Sequence, residues 1–168
     1  AASLSLLQAI KKISPNAGVK LKWPNDVLLN NAKVSGILLE KGAEKYMIIG
    51  VGVNIADSPK LADAVYKITS LAECGIKISA IKFLQLFMES FSQNLSLLQT
   101  RGFAVLREEW LKNAKNLEKE IIIRQNGKEE KGIFMGIDEN AALLLKTPVG
   151  IKKILAGDVF FEEKNKNE

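Results

Sequence analysis

The sequence predicts an α+β fold: a mixed or antiparallel sheet with helices, followed by a small SH3-like β-barrel. Three observations carry this. Apolar residues recur at helical spacing near the start and again between Ser79 and Trp110. Alternating and near-continuous apolar runs fill Val19 to Ile55. From Glu118 onward, short apolar runs are separated by turn residues. A chain of 168 residues can bury one good core and a small second unit. The charged stretch Lys112 to Glu120 is the expected boundary, dividing 1–116 from 117–164 and leaving 165–168 as a frayed tail.

Each element has a local reason. Leu4, Leu7, Ile10 and Ile13 recur at three-residue steps, an amphipathic helix that Ser14-Pro15-Asn16 and Gly18 end. Val19, Leu21 and Trp23 then alternate with Lys20 and Lys22, so a strand here turns both lysines to the face opposite the apolar side chains. Pro24-Asn25-Asp26 breaks that strand, Val27 to Leu29 resumes it and Asn30-Asn31 turns it back. Val34 to Leu39 and Tyr46 to Ile55 complete an antiparallel meander. These last two strands are almost continuously apolar or glycine, which predicts cover on both faces.

Ile68 to Gly75 reads as a short helical piece closed by glycine. Ser79 is the expected N-cap of a helix running to about Gln99, with Ile81, Leu84, Met88, Phe91, Leu95 and Leu98 as its core stripe. Phe103, Leu106 and Trp110 mark another helix after the Arg101-Gly102 break. Beyond it, Ile121 to Arg124, Gly132 to Ile137, Ala141 to Lys146, Ile151 to Leu155 and Val159 to Phe161 are the strands of the barrel.

Composition narrows the chemistry. The chain has no histidine and one cysteine, Cys74, so it supplies no serine triad, no Cys-His pair and no zinc site. Lysines, carboxylates and backbone amides remain for catalysis. The net charge is +5, but the surplus is uneven: residues 1–117 carry 15 Lys and Arg against 9 Asp and Glu, and residues 118–168 carry 9 against 10. The basic residues are scattered without interleaved aromatics, which predicts anionic ligands or an acidic partner and no nucleic acid. No apolar run reaches the roughly 20 residues that span a bilayer, and the first lysines follow the leading apolar patch, the reverse of a secretory signal.

The most unusual stretch is Lys22 to Glu40, KWPNDVLLNNAKVSGILLE, followed by GVGVN at Gly50 to Asn54. The glycines fail the dinucleotide fingerprint, because Ile55 stands where the third glycine belongs. They serve either a close strand approach or a pocket floor, with Asn54 as a polar group beside it. Lys22 is either a solvated edge-strand lysine or a charge aimed by the Trp-Pro kink.

KWPND, followed by K-x-S-G-I-L-x-E and then G-x-G-x-N, resembles the central part of biotin protein ligases. The resemblance covers essentially the whole chain and implies a class II aminoacyl-tRNA-synthetase-like catalytic unit with a C-terminal SH3-like domain. It implies biotin and ATP as substrates, Mg²⁺ arriving with ATP, and formation of biotinyl-5′-AMP. Biotin would then pass to a lysine of a biotin carboxyl carrier protein. By the same resemblance Lys22 is the catalytic charge on carboxylate and phosphate, Asn25 and Asp26 shape the turn that aims it, and Lys33 lies near the adenylate. Gly36, Gly50 and Gly52 let backbone approach biotin, Asn54 reaches the adenylate side, and Ile37 and Leu39 flank the biotin chain or are plain core residues. Trp23 completes the set. No protein side chains are assigned to metal. The carrier is expected along a sheet edge that also serves homodimers, and the location is expected to be cytoplasmic. Ligases of this kind carry an upstream GRGRxGR-like loop, and some carry a DNA-binding domain; this chain begins after both. The expectation is therefore a fragment or degenerate product holding about half a site, impaired alone. The alternative is a catalytically silent ligase-like scaffold that acts as an interaction module.

Overall fold

The computed structural model describes residues 1–43, 46–60, 66–125 and 127–161. Two antiparallel sheets and three helices make up the described fold. The first sheet is a meander in the order β1 (Val19–Lys22), β2 (Asp26–Leu29), β3 (Ala32–Lys41) and β4 (Met47–Val53). Its helices are α1 (Ala2–Ile13), α2 (Ala80–Arg101) and α3 (Phe103–Lys112). The second sheet comprises β5 (Glu120–Gln125), β6 (Lys128–Ile137), β7 (Leu143–Thr147), β8 (Gly150–Ile154) and β9 (Asp158–Phe160). Its strand order is β8-β7-β6-β5-β9, since β9 returns to pair with β5. The expected tail at 165–168 lies outside the described residues.

Turn chemistry sets the register of the first sheet. Asn30 and Asn31 both adopt positive φ, 49° and 68°, the conformation a tight hairpin needs and one that asparagine tolerates best after glycine. The Asn25 side chain donates to the Ile37 carbonyl at 2.7 Å while Ile37 N–H donates back to the Asn25 carbonyl at 3.0 Å. The turn after Trp23 is thus tied to β3 as well as to β2. Between Val27 and Leu28 the β2–β3 register shifts by one residue.

Leu4, Leu6, Ile10, Leu21, Val27 and Leu29 are fully buried between α1 and the sheet, in a core continuous with that of the second sheet through Trp110, Phe134 and Leu145. The predicted boundary segment is no loose linker. Leu21 N–H donates to the Asn113 carbonyl, Lys115 N–H donates to the Leu21 carbonyl, and Ala114 forms a parallel bridge with Leu21. Trp23 Nε1 donates to the Ala141 carbonyl at 3.0 Å, and Arg107 Nε donates to the Ile137 carbonyl. Both bonds fix the second sheet against the first unit.

Three expectations are corrected. Residues 71–75 form a turn, closed by Gly75 at φ 81°, because Thr69, Ser70 and Glu73 spend their side chains on one another and on local backbone. The buried face of α2 is Phe83, Phe87, Ser90 and Asn94, whereas Ile81, Leu84, Met88 and Leu95 are exposed. A polar cluster turns the helix this way: Asn94 Nδ2 donates to both Ser5 Oγ and Gln8 Oε1 of α1 at 2.9 Å. Finally, β3 and β4 are not covered on both faces, since Leu38, Leu39, Met47, Ile48 and Ile49 are exposed where the hairpin runs past the helices.

The orientation of α2 is testable by urea denaturation. Phe87→Ala is expected to cost about 3–5 kcal/mol, and Leu84→Ala is expected to change stability by only about 0.5 kcal/mol. The reverse ranking would restore the apolar stripe as the buried face.

Candidate active site

A row of directly paired residues crosses the first sheet. Lys22 faces Asp26, Asp26 faces Gly36, and Gly36 faces Gly52, one residue from each strand. Directly opposed residues share a face, so the two motif segments and GVGVN meet in a single line. Lys33 should fall on the opposite face, being three residues from Gly36. The register shift opposes Lys33 to Leu28 and so returns it to the face of Asp26. A β-bulge thereby brings a second lysine to the row.

Asp26 is the centre of the arrangement. Its Oδ2 lies 3.4 Å from Lys22 Nζ and its Oδ1 lies 2.5 Å from Lys33 Nζ. The Lys33 contact is close but poorly directed, and Oδ1 has no well-formed hydrogen bond. Two ammonium groups share one carboxylate, leaving a net positive charge. The Lys22 side chain is only 5% exposed, and that of Asp26 only 8%. Burial pushes the Lys22 ammonium below the ordinary lysine range, opposed by the Asp26 carboxylate and, more weakly, by Asp158. Lys22 Nζ also lies over the Tyr66 ring, 3.5 Å from its centroid.

Of the two readings of Lys22, the solvated edge-strand lysine does not hold. It shares its face with Lys20, which is exposed, but carboxylate and aromatic ring close around its ammonium. Gly36 makes the contact with Lys33 possible: a Cβ there would sit 3.2 Å from both Lys33 Cε and Nζ. Gly52 opposite it adds a second position without a side chain, and Gly50 continues the open strip one pleat along β4.

The other candidate residues make contacts of their own. Ile37 and Leu39 alternate to the face opposite the lysine row; Ile37 joins the hydrophobic core and Leu39 is 59% exposed. Trp23 is buried with its indole N–H committed to Ala141. Asn25 is a turn latch. The Asn54 amide donates to the Thr69 carbonyl at 2.9 Å, holding the following loop. Tyr66 was not legible in advance, because YKITS carries no motif. It reaches Lys22 through a parallel bridge between Lys33 and Ile68. Among the described residues no group of three carboxylate or sulfur ligands could hold a metal ion.

Known proteins are similar to this chain in sequence and architecture. Residues 2–54 match the model of the biotin/lipoate A/B protein ligase family, and residues 117–162 match that of the biotin protein ligase C terminal domain. A biotin–[acetyl-CoA-carboxylase] ligase of Paracoccus denitrificans is 38% identical over 169 residues, covering 95% of this chain and 70% of that protein. The chain belongs to the biotin protein ligase family. It spans about half the length of another family member, the bifunctional ligase/repressor BirA of Bacillus subtilis, with 33% identity over 93% of the chain and 51% of that protein. The apo biotin protein ligase of Aquifex aeolicus superposes with a TM-score of 0.84 at 26% identity, over 95% of this chain and 72% of the other. The same Aquifex enzyme in complex with biotin and ATP gives 0.82 at 28% identity, over 95% and 68%. As a family member the chain is of the ligase class and has its α+β architecture. No helix among the described residues is long and apolar enough to cross a membrane.

A double-mutant cycle tests the shared carboxylate. Asp26→Asn is expected to destabilise by about 3–5 kcal/mol, because it strands a buried ammonium. In a Lys22→Met background the same change should cost clearly less. Equal costs in both backgrounds would show that the two groups do not interact.

Proposed function

We propose that this chain carries the charged wall of a biotin protein ligase site, in which biotin and ATP form biotinyl-5′-AMP and biotin then passes to a lysine of a biotin carboxyl carrier protein. The observation that carries this reading is the Lys22–Asp26–Gly36–Gly52 row with Lys33 folded onto it. A net positive charge lies beside backbone that a ligand can approach without meeting a Cβ.

In the first step the biotin carboxylate oxygen attacks the α-phosphorus of ATP, and pyrophosphate leaves with the bonding electrons. Two anions must come together, and negative charge grows on the phosphoryl oxygens. The Lys22 ammonium, fixed by Asp26, reduces the repulsion and stabilises that charge without reorganising. Lys33, about a third exposed, can swing from Asp26 to the phosphate as the nucleotide enters. In the second step a neutral carrier lysine amine attacks the acyl carbon, AMP departs with the bonding electrons of the mixed anhydride, and the amine's proton passes to solvent; the same cations stabilise the leaving phosphate. Mg²⁺ enters with ATP as part of the substrate.

Partners and extent are part of the same proposal. β4 ends the first sheet, and its outer backbone edge suits a carrier strand or a second copy of the chain. Residues 1–116 would form the catalytic part and 117–164 the C-terminal domain. A second reading, an interaction module without turnover, draws on the exposed apolar hairpin of Leu38, Leu39, Met47, Ile48 and Ile49. Calorimetry with biotin and ATP separates the two: tight binding followed by turnover excludes the silent module.

Lys22→Ala is expected to lower the rate of biotinyl-adenylate formation by roughly 10²–10³-fold, the loss typical of one preorganised donor. Since burial depresses the Lys22 ammonium, the alkaline limb of the rate profile should fall below the ordinary lysine range. Lys22→Arg should remove that limb, because guanidinium stays protonated. An undiminished rate in Lys22→Ala would sink the assignment.

A further inference from the structure

Four side chains drawn from separate parts of the chain form a continuous stack that ends on Lys22. Its ammonium lies 3.5 Å from the Tyr66 ring centroid. Tyr66 stacks on Phe160 of β9, with centroids 5.5 Å apart and planes inclined by 26°. The Arg124 guanidinium of β5 lies over Phe160, 4.0 Å from its centroid. The stack is braced from behind: Phe160 pairs with Ile122 and Asp158 with Arg124 across β5 and β9, and Arg124 forms an ion pair with Glu129 of β6. Neither Phe160 nor Arg124 has a part in the chemistry proposed above.

A buried ammonium must keep partners, yet each added carboxylate would cancel charge that an anionic substrate needs. An aromatic face resolves this conflict, since it attracts and orients the cation while leaving its formal charge intact. Tyr66 lies in an irregular segment, just before the bridge between Lys33 and Ile68, and rests on Phe160. The position of its ring therefore depends on the second sheet. We propose that Phe160 and Arg124 are positioning residues for the Lys22 ammonium, acting through the Tyr66 ring, so that the C-terminal sheet sets the direction of the site's central charge. The catalytic weight of this coupling rests on the role proposed for Lys22; the coupling itself does not. Asp158, beside Phe160, supports the same linkage: burial and then the Asp158 charge raise the Tyr66 hydroxyl, and the same carboxylate weakly opposes the lowering of Lys22 by burial.

NMR of the lysine ε-methylene groups tests the stack without reference to turnover. The Tyr66 ring current should place the Lys22 signal, assigned by its loss in Lys22→Arg, upfield of the signal of exposed Lys20. Phe160→Ala should move it back towards Lys20, and Phe160→Tyr should retain the upfield position. Arg124→Met, at a half-exposed side chain, should give a partial return and covers the case in which Phe160→Ala fails to fold. In Tyr66→Leu the upfield shift should vanish, and adding Phe160→Ala should change nothing more. An unmoved Lys22 signal in folded Phe160→Ala or in Arg124→Met, or additive effects in the double variant, would overturn the proposal. Shifts as expected in these variants together with undiminished biotinyl-adenylate formation in Lys22→Ala would leave the stack standing and overturn the role of Lys22.

Discussion

Asp26 is the constraint on which the rest of the structure turns. One buried carboxylate holds two ammonium groups, and each surrounding feature maintains that sharing. The Asn25 latch fixes the turn that starts β2 at Asp26. The bulge after Val27 turns Lys33 to the right face. Gly36 leaves the space that Lys33 crosses. Tyr66 closes over Lys22 without neutralising it. A site with two cations and one anion, mostly withdrawn from water, is costly to maintain in a resting protein. The cost is offset when an anionic ligand supplies the missing negative charge, which is what a carboxylate and a nucleotide phosphate offer together.

The second sheet belongs to this account as well. Trp23, the neighbour of Lys22 in sequence, is anchored to the Ala141 carbonyl, and Phe160 carries Tyr66. The edge-to-face contact of Trp110 with Phe134, 6.5 Å between centroids, and the Arg107 bond to Ile137 continue the attachment through α3. The two sheets share a core and also share the support of one side chain. A hinge between them would disturb Lys22 directly.

The fold was largely legible from local pattern. The amphipathic period of α1, the Asn30-Asn31 hairpin, the Ser79 cap, whose Oγ accepts from Lys82 N–H, and the five C-terminal strands all follow from residue chemistry within a few positions. Readings failed where a tertiary polar contact outweighed periodicity. Asn94 pulls α2 round towards Ser5, so its most regular apolar stripe points outward. For the site, the motif identified Lys22, Asp26, Lys33, Gly36 and Gly52 as candidates, and pairing brings them together. It could not place Ile37 and Leu39, whose face depends on strand parity, or Asn54, whose amide is committed to a loop. Tyr66 and Phe160 carry no local signal, because only the packing of the second sheet joins them to Lys22.

The most direct measurement is calorimetric titration of the chain with biotinyl-5′-AMP, comparing the wild type with Lys22→Met at low ionic strength. If the shared carboxylate leaves a charge for the adenylate phosphate, the wild type binds and the variant loses on the order of tenfold to a hundredfold in affinity, the worth of a charged hydrogen bond. Equal affinities for the two proteins would contradict the account.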